Sequence, residues 1–123
     1  MPIVTPEEAP TFDAGGATIT GLASPSRGAA DVATWRVRFE PGHESPKHSL
    51  VDREEVFVVL SGAVTARYQD RDETATAGGA LIVAPGEEFS LVALEGPAEA
   101  VCMLPVGGTA LLDGQRIVPP WAE

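Results

Sequence analysis

The residues able to do chemistry are crowded into one stretch, Pro41 to Gly62, PGHESPKHSLVDREEVFVVLSG. It holds both histidines of the chain, His43 and His48, and the densest acid cluster, Asp52, Glu54 and Glu55. Imidazole and carboxyl groups together serve two kinds of chemistry. They pass protons to and from a bound molecule, or they hold a transition metal. The apolar run Val56-Phe57-Val58-Val59-Leu60 follows the acids directly. A carboxyl at the head of a buried strand is costly unless it is paired or faces a cavity. The stretch is therefore the candidate site, and the rest of the chain its scaffold.

The scaffold reads as β-strands. The chain has 123 residues, 44% of them hydrophobic, which is enough for one core and too little for two. Thirteen glycines and eleven prolines are scattered through it, as many short strands joined by turns require. From Thr34 the polarity alternates, with Trp35, Val37 and Phe39 on one face and Thr34, Arg36, Arg38 and Glu40 on the other. Further strands are predicted over 17–22, 63–68, 73–77, 80–83, 89–94 and 98–104. Asp113-Gly114 is the strongest hairpin signal, pairing 109–112 with 115–118. Residues 1–16 read as a surface arm, within which Thr5-Pro6-Glu7-Glu8 has the pattern of one helical turn. Residues 105–123 read as a terminal hairpin and a tail anchored by Trp121. No convincing long helix is present, so the fold class is all-β, a sandwich or barrel in a single domain over 1–123.

Charge and cysteine content narrow the function. Eighteen acidic against eight basic side chains leave a net charge of −10. That excludes nucleic acid and anionic membrane surfaces as partners, since both need basic patches. The single cysteine, Cys102, precludes an internal disulfide. It lies in Val101-Cys102-Met103-Leu104 and reads as a buried small hydrophobe. With no leader pattern and no long apolar segment, a cytoplasmic protein is expected. The run 56–60 is apolar on both faces although a barrel wall needs only one, so a homodimer is expected too.

The spacing around the candidate site resembles that of the cupins, small jelly-roll barrels also described as double-stranded β-helices. Their first motif is Gly-x5-His-x-His-x(3,4)-Glu-x6-Gly. Here Gly42, His48, Leu50, Glu55 and Gly62 fall on its positions. Their second motif is Gly-x5-Pro-x-Gly-x2-His-x3-Asn. Gly78, Ala84, Gly86, Phe89 and Ala93 fall on that one, with the proline one place on at Pro85.

The resemblance implies a metal site of three histidines and a glutamate, but Leu50 and Phe89 stand in two of the histidine positions. Only His48 and Glu55 remain, and two donors fall short of the three a catalytic metal needs. The reading is a cupin without metal or other cofactor. The alternative is a divalent transition metal held by His48, Glu55 and His43, or with Asp52 or Glu54 as stand-ins, in an oxygenase or isomerase. The resemblance further implies a barrel mouth lined by His48, Leu50, Glu55 and Phe89. Period-two alternation adds Phe57 and Val59 beside Glu55, then Trp35, Val37 and Phe39. Either Met103 or Cys102 faces in from the late strand.

Such a pocket predicts a small, largely apolar organic ligand. His48 and Glu55 would be acid and base in an isomerase, lyase or cyclase. Changing Glu55 to Gln would then alter function strongly and stability little. Two other readings remain open. His48 and Glu55 form a mutually satisfied buried pair, or the barrel is a non-catalytic sensor or structural element.

Overall fold

The computed structural model describes residues 2–123. Twelve strands run β1 (Thr11–Asp13), β2 (Ala17–Ala23), β3 (Val32–Phe39), β4 (Ser49–Leu50), β5 (Glu55–Ser61), β6 (Ala63–Tyr68), β7 (Asp72–Thr76), β8 (Ala80–Val83), β9 (Phe89–Val92), β10 (Ala98–Pro105), β11 (Ala110–Leu112) and β12 (Gln115–Ile117). The only helical pieces among the described residues are two 3-10 turns, Pro25–Arg27 and Pro120–Ala122. The chain is an all-β jelly roll. Among the described residues no helix is long and apolar enough to cross a membrane.

One sheet carries six strands in the order β1-β2-β3-β10-β5-β8, all antiparallel. Two three-stranded sheets complete the barrel, β7-β6-β9 and β12-β11-β4. The period-two alternation decides which side of each strand is buried. In β3, Ala33, Trp35, Val37 and Phe39 face in, while Arg36 and Arg38 face out. Arg38 meets Glu99 across the β3–β10 ladder at 3.5 Å. A single core cluster draws on all three sheets, with Trp35 and Phe57 from the first, Val64 and Leu91 from the second, and Leu50 and Ala110 from the third.

Two local features set the frame of the site. The turn from β5 into β6 passes through Gly62 at φ +72°, where a Cβ would lie 2.5 Å from the Pro97 carbonyl oxygen. Only glycine fits there, which is why the apolar strand can reverse so sharply. The β11–β12 hairpin turns on Asp113 (φ +49°) and Gly114 (φ +78°), the two left-handed residues its tight turn requires.

The segment 2–16 does more than lie on the surface. It makes one turn, with the Glu8 and Ala9 N–H groups donating to the Thr5 carbonyl, and then supplies the edge strand β1. Phe12 on that strand meets Trp121 edge-on at 6.0 Å between ring centroids.

Candidate functional site

The barrel encloses an open cavity of about 510 Å³. Its walls come from β2 and β3 (Ile19, Trp35, Val37, Phe39), from β4 and β5 (Leu50, Glu55, Phe57), from Leu91 on β9, and from the terminal hairpin and tail. His48 reaches it from the segment before β4. Three lining residues carry titratable side chains, Asp13, His48 and Glu55; none carries a lysine or arginine.

Glu55 opens β5, opposite Val83 of β8. It faces the same side as Phe57 and is only 5% exposed. Its Oε1 has no hydrogen-bond partner. Burial alone pushes the carboxyl up to about 8, because apolar walls cannot solvate the charge. At neutral pH Glu55 is therefore a protonated acid. An unmade hydrogen bond on a buried group costs about 1–3 kcal/mol.

His48 is held by its backbone and its ring. It exchanges backbone hydrogen bonds with Phe89 at 2.9 and 3.0 Å. Its Nδ1 lies 2.9 Å from the Pro46 carbonyl oxygen. A carbonyl only accepts, so Nδ1 carries the proton and Nε2 keeps a free lone pair. Burial lowers the imidazole below its ordinary range, against the smaller opposing effect of the Pro46 bond. The result is a neutral base and a neutral acid lining one cavity, the reverse of an ion pair.

The segment carrying His48 is stapled to β9. Gly42 and Ser45 donate their backbone N–H groups to Ala93 and Leu91, and Ser45 Oγ accepts from the Leu91 N–H at 2.8 Å. Glu44 accepts from Ser90 Oγ and from Arg67 Nη1, each at 2.6 Å. The Ser90 hydroxyl first, and Arg67 after it, hold the Glu44 carboxyl below the usual carboxylate range. Nothing in the local sequence marked Glu44 for this work. Its partners lie on β6 and β9, 23 and 46 residues away.

The structure corrects several expectations. Met103 faces outward, paired with Val56 and Thr34, whereas Cys102, paired with Phe57 and Trp35, faces in. The ladder register settles that choice, and burial pushes the Cys102 thiol well up, away from nucleophile chemistry. Val59 shares the face of Glu55 but sits four residues along β5, bonded to the Gly78-Gly79 turn. That is about 13 Å of strand, and the cavity does not extend so far. Phe89 does not line the cavity either. Its ring is wedged between those of His48, Phe57 and Tyr68, at 4.4, 6.1 and 6.4 Å, and backs the imidazole. His48 and Glu55 line one cavity without bonding to each other, so the mutually satisfied pair is absent.

The donors do not fit a metal. His43 is exposed and lies over Gly16, Asp52 is exposed and paired to Arg53 at 3.4 Å, and Glu54 is exposed. Among the described residues no three His, Cys, Asp or Glu side chains come together as a metal would need.

Sequence reasoning missed the wall built by the chain's last quarter. Leu112, Ile117, Pro119 and Trp121 all line the cavity. Trp121, expected only to anchor the tail, packs against Trp35 at 6.4 Å and closes one side. Asp13 and Ala14 at the end of β1 form part of the rim.

Comparison with known proteins bears on fold and family. The family model described as "Cupin domain" matches residues 35–104. No curated protein matches the chain. Among solved structures, the polyketide cyclase RemF from Streptomyces resistomycificus aligns with a TM-score of 0.75 at 19% identity, covering 96% of this chain and 82% of that one. KdgF from Halomonas sp. aligns with a TM-score of 0.70 at 17% identity, covering 84% and 93%. A sugar phosphate isomerase of the cupin superfamily from Silicibacter pomeroyi gives 0.67 at 17% identity, covering 87% and 75%. At these identities the likeness is one of fold.

Proposed function

The chain belongs to the cupin family, and on that premise we propose that its barrel binds a small, largely apolar organic molecule without a metal and moves protons on it. The observation that carries this reading is Glu55, a buried carboxyl with an unpartnered oxygen that lines the same apolar cavity as His48. A neutral carboxylic acid donates a proton; a neutral imidazole with a free Nε2 accepts one. Environments that push two titratable groups apart in this way make an acid and a base. On an enolisable ketone, the Glu55 O–H would donate to the carbonyl oxygen while His48 Nε2 takes the α-proton. The products are an enol, a Glu55 carboxylate and a His48 imidazolium. Return of the protons to different atoms gives an isomerisation. Loss of a leaving group or ring closure from the enol gives an elimination or a cyclisation.

The test needs no knowledge of the natural substrate. 2-Tetralone, an apolar ketone small enough for the cavity, is incubated with the protein in D2O, and loss of its α-proton signals is followed by NMR. Wild type accelerates exchange over buffer, and Glu55→Gln and His48→Gln each remove most of the acceleration, by about a hundredfold or more for a positioned acid or base. A ketone that binds but exchanges no faster than in buffer removes the acid–base reading and leaves a binding module.

A second copy of the chain covers the outer face of the six-stranded sheet in this proposal. Val56, Val58, Val101 and Met103 are adjacent there and only half-buried, and Ile82 beside Val56 is 64% exposed. These side chains face away from the cavity, so dimer formation and ligand binding use opposite sides of one wall.

A further inference from the structure

The same cavity carries information about the charge and functional groups of its occupant, and the inference drawn from it rests on the proposal that the cavity holds an organic ligand. No lysine or arginine lines it, and its two acidic residues are Asp13 at the rim and Glu55 within. The only lysine, Lys47, is exposed outside the cavity, and Arg27 is turned to the Leu22 and Trp121 carbonyls behind it. A carboxylate, sulfate or phosphate would leave water for a space with no counter-charge, inside a chain of net charge −10. The ligand is therefore not an anion.

The walls select for shape. Trp35, Phe39, Phe57 and Trp121 present aromatic rings to the cavity. Flat rings stack or pack edge-on against such walls with energy beyond simple burial. The polar demand is narrow by comparison. Oε1 of Glu55 is buried and has no partner, and three other polar side chains at the cavity already make hydrogen bonds. Asp13 Oδ1 accepts from the Gly15 N–H, Ser45 Oγ accepts from the Leu91 N–H, and His48 Nδ1 is spent on Pro46. Of the titratable groups inside the rim, the Glu55 carboxyl and His48 Nε2 remain open. A hydroxyl group both donates and accepts, so it is the smallest substituent able to meet a carboxyl in either sense.

We propose that the ligand is an uncharged aromatic-ring compound bearing a hydroxyl group, which hydrogen-bonds to the Glu55 carboxyl while the ring lies among Trp35, Phe57 and Trp121. An ammonium ligand is the competing possibility, because it would pair with an ionised Glu55; the absence of any second acidic group beside Glu55 inside the cavity disfavours it.

Four probes on one ring system separate these outcomes: naphthalene, 2-naphthol, 2-naphthoate and (2-naphthyl)methylammonium, measured by equilibrium dialysis at pH 6.5 against wild type and Glu55→Leu. Naphthalene reports whether the cavity takes an organic molecule at all. The expected order in wild type is 2-naphthol tightest, naphthalene about tenfold weaker for want of the hydrogen bond, and both ions weaker than 2-naphthol by at least that factor. In Glu55→Leu the ratio of 2-naphthol to naphthalene falls towards one while naphthalene itself still binds, which also shows that the variant is folded. Naphthalene and 2-naphthol binding equally to wild type overturns the hydroxyl assignment and leaves the apolar-ligand proposal standing. Tighter binding of 2-naphthoate or of the ammonium overturns the uncharged assignment. A 2-naphthol preference that survives in Glu55→Leu places the contact elsewhere and overturns the role of Glu55. Failure of all four probes to bind removes this inference together with the proposal beneath it.

Discussion

Changing Glu55 to Gln should make the protein more stable at neutral and alkaline pH and nearly unchanged at acid pH. The folded protein keeps this carboxyl protonated up to about 8, against an ordinary value of 4.5. Below 4.5 the side chain is neutral in both folded and unfolded chains, so pH has no leverage on it. Between 4.5 and about 8 the unfolded chain releases a proton that the folded chain retains. The unfolded state then binds fewer protons, and stability falls as pH rises. Above about 8 both states are ionised and the loss levels off. The interval of about 3.5 pH units, at about 1.4 kcal/mol per unit, sets a full loss of about 5 kcal/mol. That is an upper bound, because the cavity is open and water drawn to the charge offsets part of the penalty. By pH 7 roughly two thirds of it is already lost.

Glutamine has nearly the same shape and never ionises, so the variant lacks this slope. The assay is urea unfolding at pH 5, 6, 7, 8 and 9 on both proteins, read as the difference between them. Taking the difference cancels shared titrations. Glu44, whose carboxyl is depressed, contributes stability present above its unfolded value and lost as pH falls, and it does so in both. The difference should grow by at least about 2 kcal/mol between pH 5 and 8. Parallel curves, with a change below about 0.5 kcal/mol, would refute the buried neutral carboxyl and with it the acid assigned to the site. The sequence-based expectation that this substitution barely affects stability thus holds only below about pH 5.

Three other outcomes follow from particular contacts. Wild type should purify with well under one metal per chain by elemental analysis and gain no thermal shift with Mn, Fe, Ni or Zn, because no three donor side chains come together among the described residues. Stoichiometric metal in wild type would remove the metal-free proposal. Ile82→Asp, on the outer face of β8, should convert a dimer into a monomer by light scattering without changing probe binding; a wild type already monomeric at micromolar concentration removes the interface. Trp121→Ala, stripping the ring packed on Phe12 and Trp35, should cost about 2 kcal/mol in urea unfolding, less than a fully buried tryptophan. It should also weaken naphthalene binding several-fold; unchanged affinity would mean that the tail is not a working wall.

Much of this protein was legible in its sequence because local rules act over short distances. Alternation in 34–40 fixed which side of β3 is buried. Gly62 marked the turn after β5, and Asp113-Gly114 marked the terminal hairpin, because few residues other than glycine adopt the backbone conformations required. The spacing of His48 and Glu55 put both beside one cavity. Tertiary structure alone decided the rest. Whether Cys102 or Met103 faces in depends on the register of β10 against β5, and one residue of slip reverses it. Phe89 backs His48 instead of lining the cavity because Phe57 and Tyr68 hold its ring from the other side. Trp121 became a wall because Arg27, 94 residues earlier, bonds its carbonyl oxygen at 3.2 Å and brings the tail across the barrel. The protonation state of Glu55 depended most on the fold. A glutamate is an acid in any sequence, but only the packing of apolar strands around it removes the water that would keep it charged.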